Sequence, residues 1–310
     1  MIKTDQIEIL MATYNGASYL REQIDSILNQ SDSGWHLTIS DDCSTDDTSA
    51  IIDSYVGRHP EKIARYYSGQ QFRNARDHFF HLMKQCDAKW MLFCDQDDTW
   101  YPDKIAKLKA VMREAERQYG VETPLLVFSD QMPTDAQLHP LAPSLMRYQK
   151  QYCGNFDYRS ILFQNVVTGG AMGINQSLAK LGSKCIDTSR VIMHDWWLAV
   201  AAARFGKIIY LDESLGTYRQ HEENEVGAKK VGSIHYILAK LSSIEEVINT
   251  IRQKKLQASV FHQTYAMVLT EEDCRFLHDF EKKHSGLLFY GKNGCFIHGW
   301  TRKTGFVLLG

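Results

Sequence analysis

The sequence predicts an α/β protein with a mostly parallel sheet flanked by helices, followed by a helical C-terminal extension. Three observations carry this. Strand-like and helix-like patterns alternate over the first 130 of 310 residues, the arrangement that yields a parallel sheet covered by helices. Three of the strand-like runs end in polar residues, Thr13-Tyr14-Asn15, Asp41-Asp42 and Asp95 to Asp98, at the edge where such sheets bind ligands. After about residue 230 the apolar spacing is helical alone.

Ile7 to Met11 is apolar and strand-like, and Ala12 to Gly16 reads as a loop. Leu20, Ile24, Ile27 and Leu28 recur at helical spacing. Leu37 to Ile39 is a second strand, ending at Ser40-Asp41-Asp42. Ser44-Thr45-Asp46-Asp47 resembles a capping box, with Ser44 as N-cap of a helix through Ile51, Ile52 and Tyr55. A third strand spans Ile63 to Tyr67, a helix carries Phe79, Phe80, Leu82 and Met83, and Trp90 to Cys94 is the next strand. Pro102-Asp103 opens a long helix to about Tyr119, and Leu125 to Ser129 is strand again.

From about 131 to 165 the pattern is irregular, with Pro133, Pro140 and Pro143, and a loop-rich excursion is expected. Val166 to Met172 returns to apolar character around Gly169 and Gly170, where backbone can approach a ligand closely. His194-Asp195 precedes the apolar stretch Trp196 to Phe205, and Ile208 to Leu211 is a further strand. These elements give a first domain over residues 1–230 and a helical region over 231–310. In the latter, Ile234 to Ile251 trace one helix face and Thr270-Glu271-Glu272-Asp273 caps another helix. Beyond Glu281 no acidic residue remains, and basic residues alternate with Phe289, Phe296, Trp300 and Phe306. Two readings fit this tail: helices docked on the first domain, or a basic-aromatic surface lying on an anionic membrane leaflet.

Composition narrows the class. A hydrophobic content of 44% and charged content of 23% are those of an ordinary soluble protein. The formal net charge of −2 gives no reason to expect nucleic acid as a partner. Seven scattered cysteines without a Cys-x-x-Cys pair argue against a disulfide framework or structural zinc, and suit a reducing cytoplasm. No apolar signal region follows Met1, and no run nears the roughly 18 apolar residues needed to span a bilayer. A cytoplasmic chain is expected, with any membrane contact peripheral on the inner leaflet.

The chemistry centres on Asp95-Gln96-Asp97-Asp98, set directly after an apolar strand. Clustered carboxylates repel one another, and a hard cation such as Mg²⁺ or Mn²⁺ relieves that repulsion while sharing substrate phosphates. A nucleotide-diphospho-sugar gives every cluster a role. Asp41 or Asp42 can accept a hydrogen bond from a pyrimidine base, and Asp95 to Asp98 can hold a cation on the diphosphate. An acceptor hydroxyl must lose its proton as it attacks. Asp195, at an apparent helix start, fits a general base and equally a simple helix N-cap. His194 beside it reads as structural.

Met11 to Gly16, Ser40 to Thr48 and Asp95 to Asp98 resemble the successive motifs of the family 2 glycosyltransferases, which have a GT-A fold. Met193 to Ala199 and Tyr218-Arg219-Gln220-His221 resemble the later motifs of its bacterial rhamnosyltransferase-like subgroup. The resemblance covers about residues 5 to 230. It implies an inverting, metal-dependent transferase with a nucleotide-diphospho-sugar donor, dTDP-L-rhamnose foremost. The implied acceptor is a saccharide, lipid-linked, in surface polysaccharide or cell-wall glycan synthesis. It further implies that Asp42 contacts the base with Asp41 close by, and that Asp95 and Asp97 bind the metal with Asp98 in support. Asp195 falls where the family carries its base, His221 at the metal or diphosphate, and Arg219 at phosphate. Thr13, Tyr14, Asn15, Gly169 and Gly170 complete the expected donor site. Many relatives carry an acidic residue where this chain has His194.

Asp95 to Thr99 also matches the Asp-x-Asp-x-Thr pattern of haloacid dehalogenase-type phosphatases, but no final acidic pair follows and 90 preceding residues would go unexplained. A non-catalytic nucleotide-sugar or glycan-binding scaffold is the alternative of a different class. Retention of Asp195 counts against it, because binding alone needs no base.

Overall fold

A computed structural model describes residues 6–151, 154, 156–221 and 244–282. The basic-aromatic tail beyond Lys282, the expected helix positions 234–243, and Cys153 and Cys295 lie outside the described residues.

The first half alternates β1 (Ile7–Thr13), α1 (Leu20–Leu28), β2 (Trp35–Asp41), α2 (Thr48–Arg58), β3 (Ile63–Tyr66), α3 (Ala75–Gln85) and β4 (Trp90–Cys94). A two-residue strand β5 (Thr99–Trp100) follows, then α4 (Lys104–Tyr119) and β6 (Leu125–Thr134). Two short helices, α5 (Leu145–Tyr148) and α6 (Tyr158–Phe163), lead through a 3₁₀ turn (Gly169–Ala171) into β7 (Met172–Asn175) and α7 (Gln176–Gly182). Next come α8 (His194–Phe205), the long β8 (Lys207–Arg219), and a helix pair, α9 (Ile244–Tyr265) and α10 (Glu271–Lys282).

The strands form one mixed sheet in the order β3-β2-β1-β4-β7-β6-β8-β5. β1–β2, β1–β4, β2–β3 and β6–β8 run parallel, and β4–β7, β6–β7 and β5–β8 antiparallel. β1 and β4 share a register that aligns Met11 with Cys94, so the loops after both strands open at one edge. Period-2 alternation distributes their side chains. Ile7, Ile9, Met11, Trp90, Leu92 and Cys94 pack against α1, α2 and α4, while Leu10, Met91 and Phe93 pack against the helices of the other face. A strand covered on both faces reads as one continuous apolar run, which is why Trp90 to Cys94 was legible.

The α9–α10 pair packs into the core on the face of the sheet that carries Leu10, Met91 and Phe93. Phe261, Tyr265, Phe276, Leu277 and Phe280 are buried, with Trp197 of α8 against Phe261 at 5.5 Å and Phe163 of α6 against Phe280 at 4.7 Å between ring centroids. Each such side chain is worth about 1.5–3 kcal/mol in burial, so apolar contact dominates this docking. The expected cap at Thr270 forms: Asp273 N–H donates to Thr270 Oγ1 at 3.2 Å, and Thr270 N–H and Oγ1 donate to the Asp273 carboxylate. No described helix is long and apolar enough to cross a membrane.

Three local expectations need correction. Ser44 caps no helix: α2 starts at Thr48 after Asp47, because Ser44 is drawn to Asp41, donating from its N–H at 3.0 Å and its hydroxyl at 2.5 Å. Asp46 takes the capping role, accepting from Thr48 N–H and Oγ1. β6 does not stop at Ser129 but continues to Thr134 through register shifts around Asp130, since β8 offers it a partner strand past that point. β3 ends at Tyr66, leaving Tyr67 exposed.

Candidate active site

The loops after β1, β2 and β4 converge with the turn before β7 and the start of α8. Thr13 closes β1 and donates through Oγ1 to Asp41 Oδ1 at 2.9 Å. Asn15 adopts a positive φ of 47°, a conformation its short polar side chain tolerates. Its backbone N–H donates to Ser44 Oγ and its side-chain Oδ1 accepts from Thr45 N–H, at 2.9 and 2.8 Å. The β1 loop is thereby laced to the β2 loop. Tyr14 is 52% exposed and presents its ring at the cleft rim.

Asp42 is buried, and its two carboxylate oxygens accept the backbone N–H groups of Phe72 and Arg73 at 2.6 Å each. Arg73 has φ of 64°, so the turn entering α3 is shaped around this carboxylate. Asp41 is engaged by Thr13 and Ser44. Both acids therefore hold the loops at this corner of the cleft, Asp42 through backbone N–H groups and Asp41 through the Thr13 and Ser44 hydroxyls and the Ser44 N–H.

In the acidic loop, Asp97 and Asp98 have separate partners. Asp98, buried, accepts from Gln131 Nε2 at 2.9 Å and from Arg219 N–H at 3.0 Å, which ties it to β6 and β8. Asp97 is 2.7 Å from His221 Nε2, and that ring stacks on Tyr19 at 4.7 Å. The Arg219 guanidinium lies 4.6 Å over Tyr19, donates to Ala136 O at 3.0 Å and pairs with Glu22. Burial and then the charges of Asp98, Asp97 and Asp195 push the Asp95 carboxyl well above the usual range. Asp98 is raised by burial and by Asp97, against its hydrogen bonds.

Asp195 stands in the first turn of α8, where Met193 occupies the N-cap position and offers no side-chain cap. The N-cap reading of Asp195 is thus corrected. Its carboxylate accepts from Trp196 and Gly169 N–H groups, yet burial outweighs them and raises it to about 7. His194 lies between Phe79 and Phe93, at 4.4 and 5.1 Å, and burial lowers it to about 3. It packs as a ring, in keeping with the structural reading.

The two glycines join these halves. A Cβ on Gly170 would lie 2.8 Å from Asp95 Oδ2 and 3.1 Å from Asp98 Oδ2, and one on Gly169 would lie 3.8 Å from Asp195 Oδ2. One turn of backbone thus touches both the acidic loop and Asp195.

The donor set fits a hard divalent cation. Asp95 and Asp97 supply carboxylate oxygens in a cluster whose mutual repulsion a cation would relieve. Among the described residues, no group of three or more His, Cys, Asp and Glu is gathered to hold a metal. Ions such as Mg²⁺ commonly take one or two carboxylates and complete their shell with substrate phosphates.

Sequence reasoning gave no role of their own to Gln96 and Tyr218, which it quoted only within motifs, and missed Lys104 and Gln131. Lys104 occurs on the buried face of α4 with Leu108 and Met112, and a lysine at i, i+4, i+8 with apolar residues was the available signal. The Tyr218 phenol is kept protonated by burial and by the surrounding carboxylates of Asp98, Asp95, Asp97 and Asp195.

The family model described as glycosyl transferase family 2 matches residues 8–177. A dTDP-rhamnosyl transferase, RfbG of Shigella flexneri, is 30% identical over 230 residues, 70% of this chain and 74% of that protein. The putative teichuronic acid biosynthesis glycosyltransferase TuaG of Bacillus subtilis is 28% identical over 142 residues, 46% of this chain and 55% of its own length. Among solved structures, S. aureus TarS 1-349 in complex with UDP-GlcNAc superposes with a TM-score of 0.59 at 16% identity, over 93% of this chain and 74% of that one. The mannosyltransferase PcManGT from Pyrobaculum calidifontis, in complex with GDP-Man and Mn²⁺, gives 0.53 at 14% identity, over 94% and 76%. At these identities the structures establish the GT-A fold. From the family match and the RfbG relative together, the chain belongs to glycosyl transferase family 2.

Proposed function

We propose that the protein transfers L-rhamnose from dTDP-rhamnose to a saccharide acceptor, with inversion, in bacterial surface polysaccharide or cell-wall glycan synthesis. The observation that carries the reading is the Gly169–Gly170 turn, which sets Asp95 and Asp98 on one side and Asp195 on the other. A single displacement needs that pairing: a place for the leaving diphosphate, and a carboxylate beside the attacking hydroxyl.

In this reading Tyr14 covers the base, and the corner of Thr13, Asn15, Asp41 and Asp42 receives the nucleoside. Asp95 and Asp97 would hold Mg²⁺ or Mn²⁺, with His221 adjoining through Asp97. When bound, the cation supplies charge neutralisation for the departing diphosphate. Asp98 keeps the acidic loop in register with β6 and β8, and Arg219 braces it through its backbone. Asp195, raised to about 7, accepts the proton as the acceptor oxygen bonds to the anomeric carbon and the bond to the diphosphate breaks. A base near the working pH combines a useful ionised fraction with proton affinity. The RfbG similarity favours rhamnose as the sugar. A lipid-linked acceptor would bring the enzyme to the inner leaflet as a peripheral protein.

The test is a panel of dTDP-rhamnose, UDP-GlcNAc, UDP-glucose and GDP-mannose, each with Mn²⁺ and with EDTA, read by thermal shift and by nucleotide release. The expected result is a cation-dependent shift and release with dTDP-rhamnose alone. Binding and release with another donor would replace rhamnose. Donor binding without release in the presence of saccharide acceptors would favour the scaffold.

A further inference from the structure

We propose that Lys104 is a positioning residue: its ammonium grips the Gly170 carbonyl and so fixes the turn that joins the metal carboxylates to Asp195. The inference rests on the transferase reading above and adds a residue to it.

Lys104 opens α4 and is 1% exposed. Lysine is almost never fully buried without partners that offset its desolvation. Here Nζ donates to Gly170 O at 2.6 Å and sits 4.1 Å over the Trp100 ring. Packing alone would be served by an apolar side chain, as Leu108 and Met112 serve it one and two turns further along α4. The lysine instead reaches one backbone carbonyl, close enough to Asp98 and Asp95 to feel their charges.

That carbonyl is placed where it governs both halves of the site. Gly170 has no room for a Cβ because Asp95 Oδ2 and Asp98 Oδ2 occupy the space, 2.8 and 3.1 Å from where it would stand. Gly169, one residue earlier, donates its N–H to the Asp195 carboxylate. The 3₁₀ turn closes through Ala171 N–H to Thr168 O and Met172 N–H to Gly169 O, whereas the Gly170 carbonyl between them takes its hydrogen bond from Lys104. With Gly170 O anchored from below, the Gly169 N–H stays directed at Asp195 and the backbone stays against Asp95 and Asp98.

The test compares Lys104→Met, which keeps length and an apolar stem, with the parent protein. In the variant kcat should fall at least about 10-fold, since a misplacement near 1 Å can cost about 100-fold. Donor KM should stay within a few-fold. Hydrogen exchange should speed up at the Gly169 and Gly170 amides and not across the sheet, the mark of a local opening. A folded variant with parental kcat and parental exchange would overturn the proposal. So would a uniform rise in exchange with a matching loss of melting temperature, which is what a purely structural tether gives. Should Lys104→Met not fold, exchange in the parent decides: a protected Gly169 amide upholds the held turn, and one exchanging at the rate of open loops overturns it. A parent inactive with every sugar nucleotide would sink the transferase reading, whereas the exchange measurement still judges the turn.

Discussion

Gln96 and Tyr14 exchange two hydrogen bonds of 2.9 Å, the side-chain oxygen accepting from Tyr14 N–H and the side-chain nitrogen donating to Tyr14 O. The amide thus acts as a one-residue extension of the sheet, clasping the loop after β1 to the acidic loop after β4. Gly16 makes room for it, because a Cβ there would lie 2.2 Å from Gln96 Oε1.

Gly16→Ala should therefore displace Gln96 and release Tyr14 from the acidic loop. Gln96 can swing aside, so the cost is that of the two lost hydrogen bonds, about 1–3 kcal/mol together, and donor KM should rise with it. In a Gln96→Ala background the same glycine substitution should cost far less, because the clash is gone. Denaturant unfolding and donor KM for the four proteins of this cycle would check the coupling. Additive effects would show that the clasp is not the reason for the glycine.

Asp195 sets a pH dependence with a definite sign. Its carboxyl is raised to about 7 by burial, so the folded protein holds a proton that the unfolded chain releases near pH 4. Folding stability contributed by this group is highest below pH 4 and declines as pH rises to about 7. Asp195→Asn removes the ionised form, so its stability relative to the parent should improve between pH 5 and pH 8. Transfer should move the other way. The parent's kcat/KM should rise with pH through about 7, and the asparagine variant should lose at least about 100-fold with that limb flattened. A pH-rate profile unchanged by the substitution would remove Asp195 as the base.

Asp42 is expected to matter through the backbone it holds. Removing its carboxylate orphans the N–H groups of Phe72 and Arg73, and hydrogen bonds to a charged group are worth about 1.5–3 kcal/mol each. Asp42→Ala should lower stability by about 2–4 kcal/mol and weaken donor binding together. Asp42→Asn, which keeps one acceptor oxygen, should fall between. If Asp42→Ala unfolds at the parent's denaturant midpoint and loses only donor affinity, the carboxylate serves the nucleotide alone.

How much of this was legible in the sequence depends on the range of the interactions. Trp90 to Cys94 and the carboxylates after it were readable because a strand buried on both faces leaves a continuous apolar run, and charge at its end has few structural uses. Helix spacing likewise placed Leu20, Ile24 and Ile27 of α1 on a buried face. Ser44 misled because Ser-x-x-Asp looks alike whether serine bonds forward to a helix or back to Asp41, and tertiary placement decides. β6 was cut short because its partner β8 comes more than 70 residues later, and only that pairing explains why Asp130 and Gln131 remain in the strand. Gln96 and Lys104 were silent for the same reason: their partners, Tyr14 and Gly170, are 82 and 66 positions away.

Asp273 offers a test of the helix pair that is independent of catalysis. It caps α10 through Thr270 and accepts from Tyr158 Oη at 2.6 Å and from the Arg204 guanidinium, joining α10 to α6 and α8. Burial alone would raise its carboxyl, but the hydrogen bonds from Tyr158, Thr270 and Arg204 outweigh it and bring it to about 2. A carboxylate lowered in this way contributes stability above its unfolded value near 4, and loses it as pH falls toward 2. Asp273→Ala leaves Arg204 without this partner and Tyr158 without an acceptor. Losing such partly buried, charge-assisted hydrogen bonds costs about 1.5–3 kcal/mol. The loss should appear in denaturant unfolding at pH 7 and shrink as the pH approaches 2, where the parent has lost the same interaction. Arg204 lies in the last turn of α8 and Asp195 in its first, so kcat of the folded fraction should stay near that of the parent. A loss of stability equal at pH 7 and pH 2 would assign it to packing around Tyr158 instead of to the charge.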